Sequence, residues 1–253
     1  MSKNKLAKFA EIHELPNVVE VPYDDLQQGP YLLRGNWNWK FFGNNFPLVL
    51  ELGCGKGEYT VELAENFPEK NFIGIDIKGA RIWTGALAAH EKGLKNAGFL
   101  RTYVELLPSF FGPGEVSEIW ITFPDPQMKK QRKRLTSTKL LAHYGKVMKP
   151  GGVIHLKTDS NFLFQYTLAL VRLNGFKVEA ETEDLYLSEF ADDIRGIRTY
   201  YEQQWLDRGI KIKYLKFIPH DENLVEPEIE IEWDEYRSFG RDQRSRVTGK
   251  HDE

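Results

Sequence analysis

Cysteine is nearly missing from this chain: Cys54 stands alone among 253 residues. One thiol can neither close an internal disulfide nor assemble a thiolate zinc cluster. Cys54 lies between Gly53 and Gly55, where small size accounts for it better than reactivity. No run approaches eighteen apolar residues, so no membrane-spanning helix and no membrane partner are expected. The opening stretch, Met1 to Lys8, lacks the apolar core of a signal peptide. A cytoplasmic protein is expected. The six histidines, His13, His90, His143, His155, His220 and His251, show no ligand spacing, so no metal is expected. Repeats and low-complexity tracts are absent. With 41% hydrophobic and 28% charged residues, the chain has the material for one domain with a real core, which excludes disorder throughout.

Net positive charge is missing too: the total is −3, which at first argues against a nucleic-acid partner. Distribution reverses that argument. Asp221, Glu222, Glu226, Glu228, Glu230, Glu232, Asp234 and Glu235 crowd the stretch from Pro219 to Glu235, which has no Lys or Arg, so the remainder is net positive. Its densest cation cluster is Lys129-Lys130-Gln131-Arg132-Lys133-Arg134. Local asymmetry of this kind is compatible with an RNA-binding face on a globally acidic protein.

Residues 1–45 read as a basic and aromatic arm, broken by Pro16, Pro22, Gly29-Pro30 and Gly35. Trp37, Trp39, Phe41 and Phe42 either pack the arm on the body or, with Arg34, bring one Trp to substrate. Residues 46–218 alternate regularly. Strands are expected at Phe46–Leu52, Asn71–Asp76, Phe99–Val104, Val116–Thr122, Val153–Lys157, Phe176–Glu181 and Ile212–Ile218. Helices are expected at Glu58–Asn66, Ala80–Lys95, Ser137–Met148 and Phe162–Leu173. This is the α/β pattern of a mainly parallel sheet with helices on both faces. Residues 219–253 form an acidic extension, with alternation at Glu228–Trp233 that suits an edge strand, and then a basic stretch after Tyr236 expected to be disordered.

The first strand ends in Glu51-Leu52-Gly53-Cys54-Gly55-Lys56-Gly57 and runs straight into a helix. Glycines there let a ligand approach the backbone and the helix amino end. Dinucleotide enzymes normally have one more residue before the third glycine. An acid two positions before the first glycine could meet an ammonium group, which S-adenosylmethionine has and nicotinamide cofactors lack. Asp76 closes the second strand, where a carboxylate can accept from both ribose hydroxyls. Further on, Pro124 and Pro126 bracket Asp125 at a strand's carboxyl end, holding one carboxylate in a stiff turn beside the cation cluster.

With Glu51 to Gly57, Asn71 to Ile77, Phe123-Pro124-Asp125-Pro126, Lys157-Thr158-Asp159 and Thr199-Tyr200-Tyr201-Glu202, the chain resembles the bacterial tRNA (guanine-N7)-methyltransferases over about Phe41 to Phe217. The resemblance implies a seven-stranded class I, Rossmann-like methyltransferase fold. It also implies transfer of a methyl group from S-adenosylmethionine to N7 of a guanine in the tRNA variable loop. On matched positions, Glu51, Gly53, Gly55, Gly57 and Asp76 would hold the donor, with Tyr103 where the family has an acid on the adenine side. Asp125 would lie where donor and guanine meet. Lys129, with Arg132 and Arg134 of the same run, would contact tRNA, as would Asp159, Thr199, Tyr200, Tyr201 and Glu202. The segment after Pro126 lacks the Trp and His that the family usually carries there and is about two residues shorter.

Several roles stay open on the residues alone. Asp125 could stabilise the cationic ring or hold the guanine N1 and amino protons. Asp159 could instead cap the helix from Asn161, and Thr199 with Glu202 has the spacing of a capping box. A small-molecule methyltransferase, a non-catalytic RNA-binding protein on the same fold and a dehydrogenase are the competing functions. Monomer and homodimer are equally open.

Overall fold

The computed structural model describes residues 11–27, 29–190, 196–220 and 222–235. Leu48–Leu52 and Val116–Thr122 are apolar enough to be covered on both faces, as strands of a buried parallel sheet must be. The strands are β1 (Val18–Glu20), β2 (Leu48–Leu52), β3 (Asn71–Asp76), β4 (Ala97–Arg101), β5 (Val116–Thr122), β6 (Met148–Thr158), β7 (Lys177–Thr182) and β8 (Lys213–Ile218). They form one sheet in the order β1-β4-β3-β2-β5-β6-β8-β7. β1 to β6 pair in parallel, and β8 runs antiparallel between β6 and β7. The chain leaves β2 toward β3 and β4, then returns past β2 to β5. Ligand crevices in such sheets open at that reversal, beyond the carboxyl ends of the strands.

The helices are α1 (Tyr23–Gln27), α2 (Glu58–Asn66), α3 (Gly79–Glu91), α4 (Leu107–Phe110), α5 (Thr138–Gly145), α6 (Asn161–Leu173) and α7 (Tyr200–Leu206). Alternation along the strands sorts the core into two layers. Leu48, Leu50, Ile73, Ile119, Ile121 and Leu156 share one apolar cluster with Leu140, Leu141 and Leu163 of α5 and α6. On the opposite face Val49, Phe72, Trp120 and Tyr214 join Tyr59, Val61, Ile82 and Ala86 of α2 and α3.

Where seven strands are expected the sheet has eight, because the arm contributes β1, pairing Val18 with Phe99 and Glu20 with Arg101. Among the described residues of the arm, Trp37 and Arg34 pack on the body rather than reaching out. Trp37 is buried and donates its indole N–H to the Phe110 carbonyl at 2.8 Å, and Arg34 Nε donates to the Pro108 carbonyl at 2.8 Å. Trp39 is exposed. Glu228–Trp233, despite its alternation, forms no strand and lies against α6. The basic stretch after Tyr236 lies outside the described residues.

Glycine at one helix position is dictated by contact. A Cβ on Gly85 of α3 would stand 2.6 Å from the Lys56 carbonyl oxygen and 2.9 Å from the Gly57 Cα, both backbone atoms of the loop that precedes α2. Ala in place of Gly normally gains about 1 kcal/mol in a helix, whereas overpacking against backbone costs about 1–3 kcal/mol. The second effect wins here. Gly85→Ala is expected to lower the urea midpoint at unchanged slope, and a higher midpoint would show that the loop yields freely.

Candidate active site

Glu51 is the one acid inside β2, on the face of the sheet that α2 covers. It is buried, and its carboxylate accepts from the hydroxyls of Thr60, on α2, and of Thr122, at the end of β5; the second bond is 2.6 Å. Burial pushes its pKa up to about 7, against the pull of those two hydroxyls, with the Asp76 charge adding to the rise. A carboxylate so placed, with only neutral donors, is suited to a cation that arrives from outside.

The glycine loop turns beside it. Gly53, Gly55 and Gly57 all have φ between 59° and 75°, a region that costs other residues about 1–2 kcal/mol each. The N–H groups of Gly53 and Cys54 both donate to the Ile75 carbonyl, so the loop is tied to β3. Asp76, at the end of β3, accepts from Gly55 N at 3.0 Å with one oxygen and from Lys78 N at 2.9 Å with the other. Each oxygen keeps a lone pair free of these two bonds, enough to receive a diol. Tyr103 follows β4 and is largely exposed.

Asp125 follows by three residues Thr122, the end of β5, which bonds Glu51. Phe123 and Gln127, either side of Pro-Asp-Pro, both have φ of 47°, a left-handed backbone that neither side chain favours. Compensation comes from hydrogen bonds. Phe123 N donates to the Lys157 carbonyl at 2.8 Å, and Gln127 N donates to Asp125 Oδ1 at 3.0 Å. The prolines are buried while Asp125 is exposed, so a fixed turn presents its carboxylate outward.

The cations that follow divide. Lys129, Lys130, Arg132 and Lys133 are exposed. Arg134, expected to contact RNA, is buried. Its guanidinium lies 4.3 Å from the Tyr166 ring centre and 4.7 Å from that of Phe162, and Nη2 donates to the Met128 carbonyl at 3.1 Å. The loop's last turn faces α6, and two aromatic faces hold the cation there.

Asp159, beyond the end of β6, is buried, and its carbonyl accepts from Lys213 Nζ at 3.1 Å. The cap of α6 is Ser160, which accepts from Leu163 N at 2.9 Å, so Asp159 does not fill that role. Thr199 caps α7, accepting from Glu202 N at 3.2 Å. Glu202 completes no box and faces no solvent: it is fully buried, 2.9 Å from Lys157 Nζ and 2.7 Å from the Tyr186 hydroxyl. Its Oε2 and the buried Tyr59 hydroxyl have no hydrogen-bond partner among the described residues. An expectation that Glu202 meets RNA therefore does not hold in this structure, because Lys157 claims it. The start of α7 does reach the glycine loop. Tyr200 N donates to Glu58 Oε2 at 2.9 Å, and Lys56 Nζ lies 5.6 Å from the Tyr200 ring centre. Tyr200 is exposed, and the side chain of Tyr201 lies outside the described residues.

A family model described as putative methyltransferase matches residues 45–215. A tRNA (guanine-N(7)-)-methyltransferase of Bacteroides thetaiotaomicron is 57% identical over 246 residues, 97% of this chain and 98% of that protein. One of Porphyromonas gingivalis is 58% identical, over 92% of this chain and 97% of its own length. The chain belongs to the tRNA (guanine-N(7)-)-methyltransferase family. Among solved structures, the 16S rRNA methyltransferase KamB has 16% identity and a TM-score of 0.55, covering 83% of this chain and 96% of that one. An antibiotic-related methyltransferase has 17% identity and a TM-score of 0.54, over 81% and 98%. Both show the fold.

The residues present fit the family's donor, S-adenosylmethionine. Glu51 is a buried acid that an ammonium would ionise, and Asp76 has two spare acceptor positions that would suit a ribose. Thr60 is not expected in this region from the sequence, and Thr122 and Lys157, though within its motifs, carry no role of their own there. Thr122 follows the apolar run Ile119-Trp120-Ile121 at the end of β5, a signal in plain view; nothing in the local sequence points to Thr60 or to the pairing of Lys157 with Glu202.

Glu51 makes stability depend on pH. Between the ordinary value of 4.5 and about 7 the folded chain keeps a proton on Glu51 that the unfolded chain has released. Stability without donor should therefore fall by about 3 kcal/mol as pH rises across that window. Glu51→Gln should flatten the fall, measured by urea unfolding at pH 5, 7 and 8; an unchanged profile would place the proton elsewhere. Lys157→Met leaves the Glu202 carboxylate buried without its cation, and calorimetry should record a loss of about 3–5 kcal/mol.

Proposed function

We infer that this protein transfers the methyl group of S-adenosylmethionine to N7 of a guanine in the variable loop of tRNA, and that it does so in the cytoplasm. One contact carries the reading. The Thr122 hydroxyl bonds Glu51 at 2.6 Å and so joins the stiff Pro-Asp-Pro turn to the acid that suits the donor's ammonium.

When bound, S-adenosylmethionine supplies a methyl group on a sulfonium and leaves as a neutral thioether. Guanine N7 already carries a lone pair, so the protein needs no strong base. Its task is placement, worth up to about 7–11 kcal/mol when the reacting atoms are well aligned. Glu51 would hold the donor by its ammonium and Asp76 by its ribose hydroxyls, and the glycine loop would let it approach the backbone. The ring becomes cationic as the N7–methyl bond forms. Asp125 stabilises that charge more in the transition state than before it, and its turn is already in place, so little reorganisation is needed. Lys129, Lys130, Arg132 and Lys133 meet tRNA phosphates. No cation should bond N7 itself, since that would occupy the reacting lone pair. Tyr200, exposed at the start of α7 beside the glycine loop, extends the contact with tRNA, whereas Asp159 is buried and supports the chain behind it.

The deciding experiment combines the protein, labelled methyl donor and mixed cellular RNA, then maps strand scission at N7-methylguanine. Label in tRNA at one guanine of the variable loop is the expected result; label only in small molecules would overturn the reading. Asp125→Asn should lower the single-turnover rate by about 10²-fold while donor affinity by titration stays unchanged. Replacing Lys129, Lys130, Arg132 and Lys133 by Ala should reduce the slope of log affinity against log salt by about one for each phosphate that is no longer neutralised.

A further inference from the structure

The acidic segment that ends the described chain has no regular structure, yet it is fastened at several points. At one end, Val225 and Asn174 exchange two hydrogen bonds: Val225 N donates to Asn174 Oδ1 at 2.7 Å, and Asn174 Nδ2 donates to the Val225 carbonyl at 2.8 Å. At the other end Asp234 is buried. It accepts from Phe162 N at 3.1 Å and from the hydroxyl of Ser160. Asn174 follows α6 and Ser160 precedes it, so residues 225–234 run antiparallel along the whole helix.

Between these ends Glu226 makes four bonds. One oxygen accepts from Thr138 N at 3.0 Å and from the Thr138 hydroxyl at 2.7 Å; the other accepts from Gln131 Nε2 at 2.9 Å and the Tyr166 hydroxyl at 2.5 Å. Glu226 and Asp234 thus place carboxylates at the amino ends of α5 and α6, where helix dipoles favour them. Those are the helices that leave the cation loop and Asp159. Two of the segment's contacts touch the loop itself: Glu226 with Gln131, and Trp233 with Lys129, whose Nζ lies 5.5 Å from the ring centre.

We propose that residues 225–234 form a strap that fixes the cation loop for RNA, with Glu226 and Trp233 as positioning residues for the tRNA substrate. The proposal rests on the tRNA reading above. The physical reason is entropic. Lys and Arg side chains on an irregular loop lose freedom when they grip phosphates, and a loop tied in advance loses less. Acids bonded on the inner side of the loop satisfy polar groups there while the cations at 129, 130, 132 and 133 stay exposed.

The test uses the full chain. Glu226→Gln cannot accept all four bonds, and Trp233→Ala removes the surface under Lys129 without opening the core, because Trp233 is half exposed. Steady-state methylation of tRNA should show KM for tRNA raised by about tenfold in Glu226→Gln. Trp233→Ala should raise it by about two- to fivefold, the worth of an exposed cation–π pair. In both, donor affinity by titration and kcat should hold near the unaltered values. Loss of thermal stability in both variants with KM for tRNA unchanged would reduce the strap to a structural fastener and overturn the proposal. Tighter tRNA binding would also overturn it, by making the strap a competitor for the cations. Failure of the tRNA reading itself is separate, since the unaltered protein would then methylate no tRNA.

Discussion

The site is organised around one buried carboxylate. Glu51 sits in the central strand of the sheet, and the hydroxyls that satisfy it come from the helix after it and from the neighbouring strand β5. Because Thr122 is the last residue of β5, the bond that satisfies Glu51 also sets where the chain leaves the sheet. The Asp125 turn begins there. Neutral hydroxyls do not fully offset the burial, so the carboxyl holds its proton up to about 7. Folding thus leaves a buried acid whose side-chain partners are neutral hydroxyls.

Rigidity at this edge is spread over several compensating contacts. The left-handed backbone at Phe123 and Gln127 is held by bonds to β6 and to Asp125. Lys157, whose carbonyl receives Phe123, turns its ammonium inward to Glu202, so the turn beside Asp125 and the start of α7 share a support. Buried ion pairs seldom add net stability over apolar packing, but removing one partner is expensive because it leaves the other charge buried alone. Arg134 acts similarly one layer out, its charge spread over two aromatic faces. Outside these, the acidic strap ties the basic loop to α5 and α6.

Much of this was readable in advance. The sheet, the order of its elements and the glycine loop follow from apolar runs, turn residues and the Gly-x-Gly-x-Gly spacing; α2, β3 and β5 have the expected bounds. Errors gather where a local pattern had two physical outcomes. The arm, rich in Pro and Gly, still supplied β1, because β4 offered an open edge to Val18 and Val19. The strict alternation of Glu228 to Trp233 suited an edge strand, yet the backbone there makes no ladder and the segment is fastened along α6 instead, through Val225 to Asn174 and Asp234 to Phe162. The cation run looked uniform, but one of its arginines faces inward.

By itself the sequence determined which chemical groups are available and roughly where along the sheet they stand, since strand ends, prolines and glycines act through local backbone geometry. Only the tertiary structure decided which groups face each other. Partners such as Lys157 with Glu202, Thr122 with Glu51, and Glu226 with Gln131 are separated in the chain by 45, 71 and 95 residues. Burial then decides whether a charge meets solvent or another charge, and that depends on packing from every side, which no short stretch of residues contains.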